Sequence, residues 1–259
     1  MKKTYKILVP FDFSEAAKSG LDYAVGFAGH RDDIEITLCY ITEEKDLETI
    51  TLAFEEKQAI YVDDLKLPMS WMLLEDSVTD SILKMKTEKE VDLIIMGTSG
   101  IMHAEAMNTH TSQLVLEADC PVFAIPQGHK KFNLEHMALV LGPNEIDDPK
   151  VLNTLLDMVR KFNSRVHVVT IEKEPNSYGY SEADTKNENI LQYYLEGFYE
   201  DHTLIKSEDL VEGILTHTKD KKIDAIAILP RNHTKKTSPS EGKLTRQLIL
   251  HSEIPILAI

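Results

Sequence analysis

This sequence predicts an open, doubly wound α/β fold built twice, and three observations carry the prediction. Short apolar runs that end in a turn signal and feed a helical pattern recur along the chain, which is the βα layout of a parallel sheet. The clearest case is 91–126, VDLIIMGTSGIMHAEAMNTHTSQLVLEADCPVFAIP. It reads as a buried strand (Leu93–Met96), a Gly-x-x-Gly turn (Gly97, Gly100), a polar loop, a helix at about Thr111–Ala118 and a second apolar strand (Val122–Ile125). The second observation is that this stretch recurs. Ile82-Leu83 aligns with Ile214-Leu215 and Val91-Asp92 with Ile223-Asp224 at an offset of 132, while Thr111-x-Gln113-Leu114 and Pro121–Ile125 match Thr245-x-Gln247-Leu248 and Pro255–Ile259 at 134. Self-similarity at that spacing is a duplicated domain, since solenoid repeats run roughly 20–50 residues. The third is length: 259 residues suit about two domains of roughly 100–150 residues.

Tyr5–Val9 is the first strand, closed by Pro10, and Ser14 is placed to cap a helix through Ala28 that Gly29 ends. Leu21, Ala24, Val25 and Ala28 mark its buried stripe at helical spacing. Ile34–Ile41 is the second strand, and an acidic helical segment, about Asp46–Leu65, follows with Leu52, Ala53, Ile60 and Val62 as its apolar positions. Pro68 stops that helix. Met69–Leu74 is the third strand, and Ser77 caps a helix whose apolar face is Val78, Ile82 and Met85. With Leu93–Met96 and Val122–Ile125 the order becomes βαβαβαβαβ, and right-handed crossovers then give a doubly wound parallel sheet.

Gln127–Asn133 is polar and reads as a linker, which gives domains of 1–126 and 134–259. In the second copy the expected elements are strand Ala138–Leu141, helix Pro149–Phe162, strand Val166–Ile171 and strand Thr203–Lys206. Helix Leu210–Lys219, strand Ala225–Leu229, helix Leu244–His251 and strand Ile256–Ile259 complete it. Between them, Pro175–Asn187 has no periodicity and reads as an exposed loop. Ile190–Tyr199 reads as a helix carrying Tyr193, Tyr194, Phe198 and Tyr199, a cluster that suits core or subunit-contact surface.

Composition excludes several classes. A net charge of −15 and pI near 5.1 repel a phosphate backbone, which argues against nucleic acid. The start, MKKTYKILVPFDF, has too short an apolar run for a signal peptide, and no stretch approaches the ~20 apolar residues of a membrane span. A cytoplasmic protein is the expectation. Cys39 and Cys120 each fall in or beside an apolar strand, which suits reduced, buried thiols. The ten histidines form no His-x-x-x-His or HExxH spacing with acidic support, so no metal is expected. Asp12 and Ser14 lack a histidine partner, and neither a Walker lysine nor a complete GxGxxG is present, so no catalytic residue is assigned. The acidic residues Glu43, Glu44, Asp46, Glu48, Glu55 and Glu56 suit a solvated face.

In such a sheet ligands sit beyond the carboxyl ends of the strands, where glycines let backbone N–H groups approach an anion. The residues at those ends, ILVPFDFSEAAKSGLDYA near the start, then MGTSG and CPVFAIP, resemble the universal stress protein family, and the duplication resembles its tandem form, common in bacteria. The resemblance spans nearly the whole chain, more closely in the first copy. It implies, for each domain, a five-stranded parallel sheet of order 3-2-1-4-5 with helices on both faces, similar to the adenine nucleotide alpha hydrolases. It also implies that Val122–Ile125 and Ile256–Ile259 are placed to pair as an intramolecular counterpart of the family's dimer. A homodimer or a protein partner is the remaining partner expectation.

The family has ATP-binding and non-binding members, and binders carry Gly-x-x-Gly, nine residues, then Gly-Ser/Thr. Carried onto this chain, the resemblance assigns Asp12, with Pro10 and Phe11 beside it, to the adenine or ribose. Ile41 would line the base pocket, and Met96, Gly97, Thr98 and Gly100 would form the ribose–phosphate loop. After nine residues stand His110 and Thr111 in place of Gly-Ser/Thr, with Thr111 and Ser112 left to bond a phosphate. Histidine forfeits the close approach that glycine gives to a helix N-terminus. The intervening residues 101–109 hold no Lys or Arg, and Glu105 opposes a triphosphate. In the second copy Gly142 stands for Pro10, Asn144 or a neighbour for Asp12, and Pro230-Arg231-Asn232-His233 for Gly-Thr-Ser-Gly. Proline supplies no N–H, and the basic residues Arg231, Lys235 and Lys236 suit a solvated loop.

Three functions stand side by side. The first is a non-catalytic stress-response binding or regulatory protein, with weak or no ATP binding in the first domain and none in the second. The alternative is an ATP-binding switch or slow ATPase through Asp12, Gly97, Gly100, Thr111 and Ser112. A third is a protein scaffold using the Tyr193–Tyr199 helix.

Overall fold

The computed structural model describes residues 4–42, 47–75, 77–100, 109–129, 131–142, 146, 149–172, 182–229 and 242–259. Two compact units emerge, Met1–Phe132 and Asn133–Ile259.

The first unit runs β1 (Tyr5–Pro10), α1 (Glu15–Ala28), β2 (Ile34–Ile41), α2 (Leu47–Ile60), β3 (Ser70–Leu74), α3 (Val78–Lys89), β4 (Leu93–Thr98), α4 (His110–Glu117) and β5 (Val122–Pro126). Its strands pair in the order β3-β2-β1-β4-β5, and every pairing in it is parallel. Ile7, Leu8, Val9, Leu93, Ile94 and Ile95 are buried on both faces of the two central strands, which is why these segments read as unbroken apolar runs rather than alternating ones. Ser14 accepts from Ala17 N–H to start α1, and Gly29, at φ 50°, ends it by donating to the Val25 carbonyl. Ser77 caps α3 by accepting from Asp80 N–H.

Three expectations change in this unit. The helix α2 stops at Ile60 rather than running to Leu65, and Tyr61, in the turn that follows, donates its hydroxyl to Asp22 of α1. The buried face of α2 is Ile50 and Phe54, whereas Leu52, Ile60 and Val62 are exposed. Phe54 is captured by aromatic neighbours from the sheet, and that contact sets the helix rotation where a weak apolar period could not. Gln127, Gly128, His129 and Phe132, within the stretch 127–133 read as linker, pack onto the first unit. Phe132 stands edge-on to Tyr23 and Phe27, with its Cβ over Gly26, where an added methyl would meet it at 2.4 Å. Gly128 N–H also donates to Ser19 Oγ at 3.0 Å.

The second unit runs β6 (His136–Leu141), a 3-10 turn (Pro149–Leu152), α5 (Asn153–Phe162), β7 (Arg165–Glu172), α6 (Glu182–Leu195), a 3-10 turn (Glu196–Phe198) and β8 (Tyr199–Lys206). It continues with α7 (Leu210–Asp220), β9 (Ala225–Ile228), α8 (Lys243–His251) and β10 (Ile256–Ala258). Its strands pair β8-β7-β6-β9-β10, all parallel. Counted within the unit, this is 3-2-1-4-5 again.

Part of the stretch expected as loop is helical, because α6 begins at Glu182. Asp184 and Asn187 are buried on it, 2% and 1% exposed, and Asn187 Oδ1 accepts from Ile146 N–H at 2.8 Å. Polar residues on an inward face hide helical periodicity from a hydrophobicity reading. Tyr199 opens β8 rather than closing a helix, since pairing with Val166 of β7 claims it. Tyr193 is 77% exposed. The expected loop from Pro175 lies outside the described residues as far as 181.

Candidate functional site

The carboxyl ends of β1 and β4 lie side by side at the centre of the first sheet, since β1 pairs with both β2 and β4. From β1 the chain turns one way and from β4 the other, so their ends form the crevice where open sheets receive ligands. Of the residues expected in the site, Pro10 ends β1, Met96, Gly97 and Thr98 end β4, Ile41 ends the neighbouring β2, and Thr111 and Ser112 open α4.

Pro10 and Phe11 are buried. Phe11 N–H donates to the Cys39 carbonyl at 2.9 Å, continuing the β1–β2 ladder, and its ring packs on Phe13 and Phe54 with centroids 5.0 and 6.1 Å away. Phe11 is therefore a core residue. Asp12 is exposed, and its Oδ1 accepts from Ser14 N–H at 3.0 Å. The carboxylate thus helps begin α1. Phe13 adopts φ 63°, a costly region for a bulky side chain, and its ring is held by Tyr40 and Phe54 at 5.5 and 4.9 Å. Ile41 is half-buried at the end of β2. Burial pushes the Cys39 thiol up to about 12, so the cysteine beside Pro10 stays protonated and is no nucleophile.

At the end of β4, Gly97 has a structural reason to be glycine. A Cβ there would stand 1.8 Å from the Ala16 carbonyl oxygen, and one on Gly20 would stand 2.8 Å from Gly97 N. The two glycines let α1 cross directly over β4, and no bound molecule is needed to explain them. Thr98 is buried; its carbonyl accepts from Gln127 N–H at 2.8 Å and its hydroxyl from Gly100 N–H at 3.5 Å. Gly100 sits at φ 59°, where glycine costs nothing. Met96 is half-buried beside it.

The helix α4 begins one residue earlier than expected, with Thr109 as its cap accepting from Ser112 N–H at 3.1 Å. His110 is exposed at the position where the family motif has glycine. Thr111 and Ser112 are buried, 4% and 3% exposed. Thr111 donates its hydroxyl to the Gly97 carbonyl at 3.2 Å, and Ser112 donates to the Thr109 carbonyl at 2.9 Å. A hydroxyl has one proton to give, so a phosphate would have to displace the Gly97 and Thr109 carbonyls from these two groups. Of the groups expected to hold a nucleotide, the Asp12 carboxylate is exposed, whereas the two hydroxyls expected to hold phosphate are engaged inward. Residues 101–108, including Glu105, lie outside the described residues.

In the second unit Gly142 directly follows β6. Asn144, and the loop Pro230–His233 with Lys235 and Lys236, lie outside the described residues. Strand register corrects two alignments. Leu8 pairs with Ile94 and Ala138 with Ile226, so the counterpart of Pro10 is Val140 rather than Gly142. Ile94 pairs with Val122 in the first unit and Ile226 with Ile256 in the second, so the counterpart of Gly97 is Leu229 rather than Pro230. A leucine there blocks the close crossing that Gly97 permits.

The sequence reading did not find a polar chain in the second unit, His136, His167 and Asp201, contributed by β6, β7 and β8. No local motif marks it, because its members are 31 and 34 residues apart. Only strand pairing unites them. Among the described residues no three His, Cys, Asp or Glu groups come together as a metal site.

Comparison with known proteins agrees with this architecture. The model of the universal stress protein family matches residues 4–126. Among curated proteins no sequence matches. The chain is similar in structure to a universal stress protein from Archaeoglobus fulgidus DSM 4304, at 16% identity and a TM-score of 0.73, covering 98% of this chain and 97% of that one. A putative universal stress protein from Pseudomonas aeruginosa UCBPP-PA14 is similar at 13% identity and a TM-score of 0.66, with 100% and 94% covered. The cytoplasmic domain of a prokaryotic cation chloride cotransporter is similar at 8% identity and 0.58, with 99% and 95% covered. At these identities the likeness is one of fold.

Proposed function

Over residues 4–126 this chain belongs to the universal stress protein family, and on that premise we propose that it is a non-catalytic binding or regulatory protein that holds ATP weakly or not at all. The observation that carries this is the inward donation of the Thr111 and Ser112 hydroxyls, to Gly97 and Thr109. With no Lys or Arg from 97 to 117, little remains along this edge to neutralise a triphosphate. Neither Cys39, which stays a thiol, nor Ser14, which serves as a helix cap, is an activated nucleophile. Among the described residues no helix is long and apolar enough to cross a membrane, and the reading places the protein in the cytoplasm, acting through a protein partner.

Calorimetry with ATP and magnesium on the full chain tests this. The expected dissociation constant is about 1 mM or weaker, a binding free energy of about 4 kcal/mol or less. Micromolar binding with measurable turnover overturns the proposal. One observation favours the alternative of an ATP-binding switch: Gly100 forms a left-handed turn after β4, and the Asp12 carboxylate is exposed after β1. Under that reading Gly100→Ala and Asp12→Ala each abolish nucleotide binding, and nucleotide co-purifies with the protein.

A further inference from the structure

At the amino-terminal ends of its strands the second unit holds a hydrogen-bonded chain that the nucleotide question leaves untouched. His136 Nδ1 lies 3.1 Å from His167 Nε2. His167 Nδ1 lies 2.9 Å from Asp201 Oδ1, and Lys221, just past α7, donates to Asp201 Oδ2 at 2.9 Å. His167, at the centre, is 5% exposed.

The charged surroundings come from each packed element. On the α7 side stand His217, Asp220 and Lys221. Beside β6, the Asp224 carboxylate accepts from His136 N–H and from the Asn133 amide, both at 2.8 Å. Along the β7–β8 edge Arg165 pairs with Glu200 at 3.8 Å. The hydrogen bonds from Lys221 and His167, together with their charges, outweigh the upward push of burial and hold the Asp201 carboxyl below its ordinary value. Burial first, then the Lys221 charge, hold His217 down, and its Nε2 is buried without a hydrogen-bond partner.

Proton counting follows from the geometry. A carboxylate only accepts, so His167 must present N–H to Asp201 from Nδ1. With His167 neutral, its Nε2 accepts and His136 donates from Nδ1. One added proton turns His167 into an imidazolium that bonds Asp201 on one side and donates to His136 on the other, with the carboxylate balancing its charge. A second added proton places N–H against N–H across 3.1 Å, and the bond becomes a repulsion between like charges.

We propose that His136, His167 and Asp201 form a proton-operated latch at the base of the second unit, closed while one proton lies between the rings and sprung by a second. Acidification then loosens the β6–β7 pairing and leaves the first unit intact.

Hydrogen–deuterium exchange of the full chain, read by mass spectrometry from about pH 7.5 to about pH 5 and corrected for intrinsic chemistry, tests the latch where imidazoles titrate. Opening of the 136–141 and 165–172 segments is expected to rise by about tenfold per pH unit once the second proton binds, as one linked proton requires. His136→Asn can donate or accept toward His167 and carries no titrating proton, so it removes the latch's share of the rise and leaves only what His202 and His217 contribute; His217→Gln keeps the latch's share. A flat wild-type profile, a rise in His136→Asn as steep as the wild type's, or one that vanishes in His217→Gln overturns the proposal. Should His136→Asn not fold, 15N spectra of the wild-type rings decide. Loss of coupling across the His136–His167 bond is expected in acid, and coupling retained with both rings protonated overturns the latch.

Discussion

The two units share one strand order but fill the layer beneath their second helix with opposite chemistry. In the first, Phe54 of α2 stacks on Trp71 at 4.9 Å and meets Phe11, Phe13 and Tyr40. In the second, α6 turns Asp184 and Asn187 inward, and Thr170 shares a 2.8 Å hydrogen bond with His202. Register makes the contrast position by position. Leu8 pairs with Ile94 as Ala138 pairs with Ile226, so Val9 matches Leu139, and one strand further out Trp71, paired with Leu38, has His202, paired with Val168, as its counterpart. A 3-2-1-4-5 sheet therefore accepts either filling. The aromatic one is stabilised by area and ring contacts. The polar one must satisfy each buried group, and it brings titratable side chains into the fold.

The largest expected effect is Phe54→Ala, which leaves a cavity among four rings and lowers the stability of the first unit by about 3–5 kcal/mol. Calorimetry or denaturant unfolding of the full chain should show the first unit's transition moving while the second unit's stays. Equal movement of both would erase the contrast. Gly97→Ala comes next. Its methyl would overlap the Ala16 carbonyl, and overpacking of that kind costs about 1–3 kcal/mol; Leu229→Ala, at the matching position, is expected to produce no clash and no backbone shift at the start of α5. Chemical shifts of the two helices separate these outcomes.

Acid should then distinguish the units. Burial first holds His202 below its ordinary value, against the charges of Glu188, Asp184 and Asp201, and His217 is also lowered. The unfolded chain binds these protons more readily than the folded one. Their contribution is thus present above about pH 6.5, the ordinary histidine value, and is lost as pH falls through that value toward their folded ones. Asp201, held below 3.8, keeps its contribution until the pH drops through the carboxylate range. In the first unit Cys39 and Tyr61 are both raised and stay neutral throughout the acid range. The second unit should therefore lose stability first between about pH 7 and pH 5, and His202→Gln should reduce that loss; melting of the first unit ahead of the second would contradict it. The smallest effect is Thr109→Ala, which removes the α4 cap at a cost of about 1 kcal/mol and should leave the second transition unchanged.

Legibility in the sequence followed how local the cause was. The caps Ser14, Gly29 and Ser77 stand where their residue types suggested, because a cap needs only three or four neighbours. The apolar runs of β1 and β4 declared buried strands by themselves. The helix α6 was hidden because its inward face carries Asp184 and Asn187, whose partner Ile146 N–H is remote in sequence. At the candidate site, Gly97 was legible as a glycine that matters, yet its reason, the Ala16 carbonyl above it, comes from a helix crossing.

The chain's own order of residues determined the duplication, the parallel sheet and the strand ends that carry Asp12 and Gly97, because period, turn chemistry and repeat spacing are local or additive properties. Only the tertiary structure decided which way the Thr111 and Ser112 hydroxyls point, which side of α2 is buried, and that His136, His167 and Asp201 stand in line. Those outcomes depend on distances between segments tens of residues apart, and pairing across the sheet alone brings such segments within hydrogen-bond reach.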